Sequence, residues 1–227
     1  PLYHDMGLVG FLSILMTNGV QLVQAAPQDF MAKPGNWMQW ISDHRGTATA
    51  GPNFAWVLAT RALGRAEGLD LSSLTLALSG AEPVDPNAVE AFVTAAEPFG
   101  FRPGSVFPAF GMAEVAIGGA FPERHRGMVC DSVDRVVLER DRVAKQLDVA
   151  DAEEELDVRR LPLLGKAVPG LEMKIVDEDD RAALDVPDRE GEAGIMVGRQ
   201  VAAVRTESQD GDFAIPPRLE ARDILII

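Results

Sequence analysis

Short apolar runs alternate with amphipathic helical periods over about the first 120 residues, which restricts the chain to an α/β layered fold with a largely parallel sheet. GVQLVQA (residues 19–25) reads as a short buried strand ended at Pro27. KPGNWMQWISDHRG carries Trp37, Trp40 and Ile41 at helical spacing and stops at Gly46. TATAGPNF is a strand and a turn, and FAWVLATRALGRAEG is a helix expected to bury Phe54, Val57, Leu58 and Ala62 on one face. LTLAL is a strand closed by the small-residue turn Ser79-Gly80-Ala81. Asp85 then caps a helix with Pro86 at its first position and Val89, Phe92, Val93 and Ala96 turned inward. SVFPAF is the next strand and leads into FGMAEVAIGG, residues 110–119. Ligands of such sheets sit at the carboxyl ends of strands, where the glycine turns after Leu78 and after Phe110 both fall.

The 227 residues suffice for one large domain, or one with a small appendage, and can bury a real core. A net charge of −14 argues against a phosphate-backbone partner and against anionic membrane surfaces. Cys130 is the single cysteine, so no internal disulfide can form, and a reducing cytoplasm is expected. Its ordinary role is that of a small apolar residue rather than a nucleophile. The chain opens at Pro1 with no basic segment, unlike a secretory signal. The apolar run from Met6 to Met16 is too short to span a bilayer and reads as a buried helix that has lost what precedes it. The chain is therefore expected to be a fragment.

From Met128 the character changes. CDSVDRVVLERDRVAKQLDVADAEEELDVRR is charge-dense, and DAEEELD puts five acids in seven residues, as a solvated insertion or hairpin does. GKAVPGLEMKIVDEDD follows with a turn and an alternating strand, Leu171, Met173 and Ile175 against Glu172, Lys174 and Val176, the start of a small β subdomain. The expected organisation is an α/β lobe over residues 1–127, a charged insertion over 128–160, and a partial β subdomain with a hinge-like tail over 161–227.

The usual phosphate cradles, Gly-x-x-x-x-Gly-Lys-Ser/Thr and Gly-x-Gly-x-x-Gly after a strand, do not occur. His4, His44 and His125 lie far apart and lack zinc spacing. His4 and Asp5 form a potential metal pair, but sequence neighbours point different ways on most backbones. Ser79, in LSGAE, does not sit in a nucleophile elbow. Glu114 stands within an apolar run, so either it is exposed or it has a partner, because an unpaired buried carboxylate is costly.

Five blocks, PLYHDMGLVG, GPNFAW, LDLSSLTLALSGAEPVDP, FGFRPGSVFPAFGMAEVAIG and LLGKAVPGLEMKIVD, occur in the order and spacing of adenylate-forming enzymes. Over about residues 1–190 the chain most resembles the fatty acyl-AMP ligases, relatives of acyl-CoA synthetases and of peptide-synthetase adenylation domains. The resemblance implies ATP-dependent activation of a fatty acid to acyl-AMP, with a carrier protein or a polyketide synthase carrier domain as acceptor and Mg2+ as the metal. It implies that Glu114 holds the magnesium, a hard dication suited to carboxylate oxygen. Phe110, in the usual tyrosine place, would offer its ring to adenine. Gly80, Ala81 and Glu82 match the turn beside the adenine edge, and Gly111, Met112 and Ala113 the lining of the α-phosphate and carboxylate. His4 matches the gate histidine, with Met6, Gly7, Phe54 and Ala55 along the acyl channel.

Other blocks depart from the pattern. The family's Ser/Thr/Gly-rich phosphate loop lies upstream of the gate histidine, and its C-terminal lid domain, with the catalytic lysine, follows the hinge. DGDF resembles the ribose-binding block, making Asp212 the ribose acid, with Asp210 replacing its threonine. RLEARDILII resembles the hinge with Arg222 and Asp223 in register, but Glu220 falls where the ribose arginine belongs. Residues 129–149 resemble an insertion that separates fatty acyl-AMP ligases from acyl-CoA synthetases. There Val133, Val136, Val137 and Val143 are expected to pack, while Asp134, Arg135, Glu139 and Arg140 face water or pair with the lobe. An acyl-CoA synthetase and a non-catalytic remnant are the alternative expectations.

Overall fold

The computed structural model describes residues 2–141, 143–147, 157–175, 202–205 and 224–226. Met6–Ser13 is wound as a π-helix and runs directly into α1 (Ile14–Asn18), which ends at left-handed Gly19. The chain continues through β1 (Gln21–Val23), α2 (Pro27–Ala32), α3 (Gly35–His44), β2 (Ala48–Gly51), α4 (Asn53–Leu63), β3 (Leu76–Ser79), α5 (Pro86–Ala96) and β4 (Val106–Pro108). Beyond the lobe come β5 (Ala120–Phe121), β6 (Cys130–Asp134), α6 (Arg135–Asp141), β7 (Val158–Pro162), β8 (Lys166–Ala167), β9 (Glu172–Ile175), β10 (Ala202–Arg205) and β11 (Ile224–Ile226).

The main sheet is fully parallel, in the order β1-β11-β2-β3-β4. Parallel strands need both faces covered, and the side-chain alternation supplies two different coats. On one face Ala48, Ala50, Leu22 and Leu76 meet Phe11 and Leu15 of the π-helix/α1 segment and Val20 just after it. On the other, Ala77 and Val106 pack against Trp37, Met38 and Ile41 of α3, Ala55, Trp56, Ala59 and Leu63 of α4, and Val89, Phe92 and Ala96 of α5. The rings of Trp37, Trp56, Phe92 and Phe101 form a contiguous aromatic run, with centroids 4.8, 4.8 and 5.2 Å apart in turn.

Local signals are obeyed closely. Asp85 caps α5 by accepting the Asn87 N–H at 2.9 Å, with Pro86 in the first turn. Helix α3 ends at left-handed Arg45, and the Gly46 N–H returns to the Ile41 carbonyl. Helix α4 departs from expectation: its buried stripe is Ala55, Trp56, Ala59 and Leu63, while Phe54 is 53% exposed. Two apolar stripes exist on this helix, and the larger indole of Trp56 turns inward. The Met6–Met16 run is only half covered, with Leu8 47% and Met16 72% exposed.

Three two-stranded antiparallel pairs lie outside the main sheet: β5 with β8, β6 with β7, and β9 with β10. Strand β11 comes from the far end of the chain. Its register, Leu225 opposite both Leu22 and Ala48, puts it inside the main sheet between β1 and β2. The charged segment after β6 behaves as expected only in part. Val133 is buried, but Val136 and Val143 are exposed and supply no packing face. Asp134 accepts the Val137 N–H, Arg135 pairs with Asp157 at 2.5 Å and Arg140 with its neighbour Asp141 at 2.6 Å. The link from the β6–β7 hairpin to the lobe is made instead by Arg160, whose guanidinium takes both carboxylate oxygens of Glu90 on α5. Among the described residues no helix is long and apolar enough to cross a membrane.

Candidate functional site

Because the sheet is parallel, β1 to β4 all finish at one end, and Gly51, Ser79 and Pro108 are level there in the register. A cavity of about 340 Å³ opens at that end, over the face carrying Leu76, Leu78 and Phe107. His4, Gly80, Ala81, Phe110, Gly111 and Met112 line it. The turns after β3 and β4 touch closely enough to exclude side chains. A Cβ on Gly80 would lie 3.0 Å from the Ala109 carbonyl oxygen, and one on Gly111 would lie 1.7 Å from that of Ile117. Ala81 adopts φ 68°, a left-handed conformation that carries a cost in any residue but glycine.

The 110–120 segment is a closed loop. Phe110 and Ala120 exchange both backbone hydrogen bonds, at 3.1 and 3.0 Å, and the Ile117 N–H closes an inner turn on the Met112 carbonyl at 3.0 Å. Ala113, Glu114 and Val115 form a short 3₁₀ turn on this loop, followed by left-handed Ala116 and Ile117. Phe110 is half-buried, whereas Ala113 and Glu114 are exposed and outside the cavity's lining. The carboxylate in the apolar run is therefore exposed, and it makes no hydrogen bond or ion pair among the described residues. Glu82 also stands apart from the cavity: its Oε1 accepts the Asn53 N–H at 2.8 Å and so satisfies the start of α4 from a neighbouring loop. Asp212, Arg222 and Asp223 lie outside the described residues.

His4 and Asp5 do not point apart. His4 Nδ1 lies 2.6 Å from Asp5 Oδ1, which also accepts the Met6 N–H at 2.7 Å. Asp5 already has helical backbone angles as the cap of the π-helix, and that bend brings its carboxylate back to the imidazole. The sequence reading missed this pairing, although the adjacent residues of HDMG were the available signal.

A second cavity, of about 680 Å³ and mostly apolar, lies between the π-helix and the starts of α2, α3 and α4. Met6, Gly7, Phe54 and Ala55 line it, with Phe30, Trp37 and Trp40. The two cavities share His4, Met6, Phe11 and Ala81, so one polar side chain, His4, stands where they meet.

Among the described residues no group of three or more His, Cys, Asp or Glu side chains is placed to hold a metal ion. A lone exposed carboxylate such as Glu114 nevertheless suits Mg2+, which keeps several waters and takes its remaining oxygens from phosphates. Cys130 lies away from both cavities. Burial pushes its thiol above the usual range, and nearby Arg160 pulls weakly the other way.

The family model for "AMP-binding enzyme" matches residues 1–203. The chain belongs to the AMP-binding enzyme family. As an AMP-binding enzyme it is 42% identical over 181 residues to Rv1013 of Mycobacterium tuberculosis, whose name commits only to a ligase. That match covers 78% of this chain and 32% of the relative. It is 36% identical over 180 residues to JamA, a medium-chain-fatty-acid–[acyl-carrier-protein] ligase of Moorena producens, covering 78% of this chain and 30% of JamA. Among solved structures, one from work on fatty acyl-adenylate ligases of E. coli and L. pneumophila matches with a TM-score of 0.72 and 32% identity, over 81% of this chain and 33% of that one. The L. pneumophila ligase in complex with acyl adenylate and pyrophosphate matches with a TM-score of 0.65 and 28% identity, over 79% and 31%. The chain thus spans about a third of the length of these relatives.

Proposed function

We propose that this AMP-binding enzyme activates a fatty acid with ATP and passes the acyl group to a carrier protein. The junction of the two cavities at His4 carries the reading. An acid whose alkyl tail fills the apolar cavity presents its carboxylate at His4, beside the cleft bounded by the Gly80–Ala81 and Phe110–Met112 turns. A carboxylate oxygen attacks the α-phosphorus of ATP, the bond to pyrophosphate breaks, and acyl-AMP and pyrophosphate result. Such a reaction depends on alignment and on neutralising charge more than on covalent help from protein.

The residues divide that work. Phe110 offers a ring face to adenine, and the backbone of Gly80 and Ala81 approaches the base edge. Gly111 and Met112 border the α-phosphate. His4, held by Asp5, faces the carboxylate. Glu114 is free to hold Mg2+, which supplies positive charge to the phosphate oxygens when bound. The relatives named as acyl-carrier-protein ligases, JamA and TtuA of Teredinibacter turnerae at 32% identity, support a carrier thiol rather than free coenzyme A as acceptor. The lone cysteine supports a cytoplasmic site of action.

The test uses the intact protein with laurate, ATP and Mg2+, measuring pyrophosphate release and acyl-AMP by mass spectrometry, then adding a phosphopantetheinylated carrier or free coenzyme A. Acyl-AMP forms, the carrier accepts it, and Glu114→Gln lowers the rate by about two orders of magnitude, the scale of losing one electrostatic stabiliser. No acyl-AMP from octanoate, laurate or palmitate would overturn the reading. Coenzyme A acylated as fast as the carrier would overturn the acceptor.

A further inference from the structure

We infer that Trp37 is the specificity-determining floor of the apolar cavity and that Gly51 sets the room left above it for the acyl chain. This rests on the proposed fatty acid activation. The mouth of the cavity is formed by exposed residues such as Leu2, Gln24 and Phe54, whereas Trp37, Gly51 and Ala55 are buried. Trp37 is the largest of these buried residues and 5% exposed.

Its ring is held from several directions. The indole Nε1–H donates to Thr49 Oγ1 at 2.9 Å, a buried bond from α3 to β2. The Trp56 ring lies 4.8 Å behind it, and Phe30 of α2 meets it edge-on at 5.7 Å. Beside it is Gly51, the last residue of β2, where a Cβ would stand 2.8 Å from Trp37 Cη2 and 3.3 Å from Ala55 Cβ. The indole therefore occupies the space that a side chain at position 51 needs. A methyl group there costs cavity volume whichever of the two yields, because both residues line the same space. Trp56, Phe30 and the bond to Thr49 close the other sides of the indole, so the displaced atoms move into the adjoining cavity. The hydrogen bond to Thr49 fixes the ring in the plane that produces this stop. A longer acid meets the indole, and a shorter one leaves apolar volume unfilled.

Acid preference is read as the ratio of kcat/KM for octanoate to that for palmitate, from pyrophosphate release by the intact protein. A methylene gained or lost in an apolar pocket changes specificity by about 10- to 200-fold. Gly51→Ala shifts the ratio toward octanoate by about tenfold or more, and Trp37→Phe, which shortens the floor while keeping an aromatic ring, shifts it toward palmitate. Calorimetric titration of the same acids without ATP reports the pocket alone and separates this inference from the proposed chemistry. The affinity order moves in the same two directions even where no acyl-AMP forms. Should Trp37→Phe fail to fold, Gly51→Ala decides the matter alone. A Gly51→Ala protein with the parent's affinity order and kcat/KM ratio would overturn the inference.

Discussion

Replacing Gly111 by alanine puts a Cβ 1.7 Å from the carbonyl oxygen of Ile117, well inside the 3.0 Å that real Cβ atoms keep. The contact is with backbone, so no side-chain rotation relieves it, and the 110–120 loop must open. Opening breaks the inner Ile117–Met112 hydrogen bond and loosens the Phe110–Ala120 pair. Each such bond is worth about 1 kcal/mol net, and overpacking adds about 1–3 kcal/mol, so the cost is about 2–4 kcal/mol. If the cost falls on the fold, Tm drops by several degrees, since about 1 kcal/mol moves a chain of this size by about 2–4 °C. If it falls on the loop alone, Phe110 and Glu114 lose their placement, and adenylation falls by about two orders of magnitude at about 1.4 kcal/mol per decade. Gly64→Ala is the control. It sits at φ −61°, and its Cβ meets nothing closer than 3.7 Å, so the same chemical change there leaves both readouts at or slightly above the parent. Differential scanning fluorimetry and pyrophosphate release, run on both variants, decide the case. A Gly111→Ala protein with parental Tm and parental rate would refute the steric reasoning.

Three further outcomes follow from single contacts. The hydrogen bonds from Arg160 hold the Glu90 carboxyl below its usual range, so this pair stabilises the fold above the unfolded value near 4.3, and the contribution is lost as pH falls through the lower folded value. Both side chains are partly exposed, which limits the pair to about 1 kcal/mol or less. Glu90→Gln should therefore lower Tm by about 1–4 °C at pH 7, with the gap to the parent closing as both are melted at progressively lower pH below about 4. Asp85→Ala removes the acceptor for the Asn87 N–H and should cost about 1 kcal/mol by urea melts, while Asp85→Asn recovers most of it. Cys130, its thiol raised by burial, should react with a thiol reagent at neutral pH more slowly than free cysteine, and faster once urea unfolds the chain.

Much of the α/β lobe was legible because its signals are short-range. The apolar runs of β2, β3 and β4, the Asp85–Pro86 helix start and the glycine turns each declare themselves within a few residues. The turns at Gly80–Ala81 and Phe110–Met112 were legible as a pair, and they do line one cleft. Helix α4 was misread because its sequence carries two apolar stripes, and only packing against the sheet selects the one with Trp56.

The amino-acid sequence by itself determined the alternation of strands and helices, their caps and the residue types at the strand ends, since periodicity, proline, aspartate and glycine act on their own turn of backbone. Tertiary structure decided the rest. Nothing local puts Ile224–Ile226 between β1 and β2, because parallel pairing joins strands far apart in the chain. Nor does spacing reveal that Trp37 donates across to Thr49 or that two cavities meet at His4. Those contacts exist only once separate elements are pressed together, where close packing leaves each side chain one place to go.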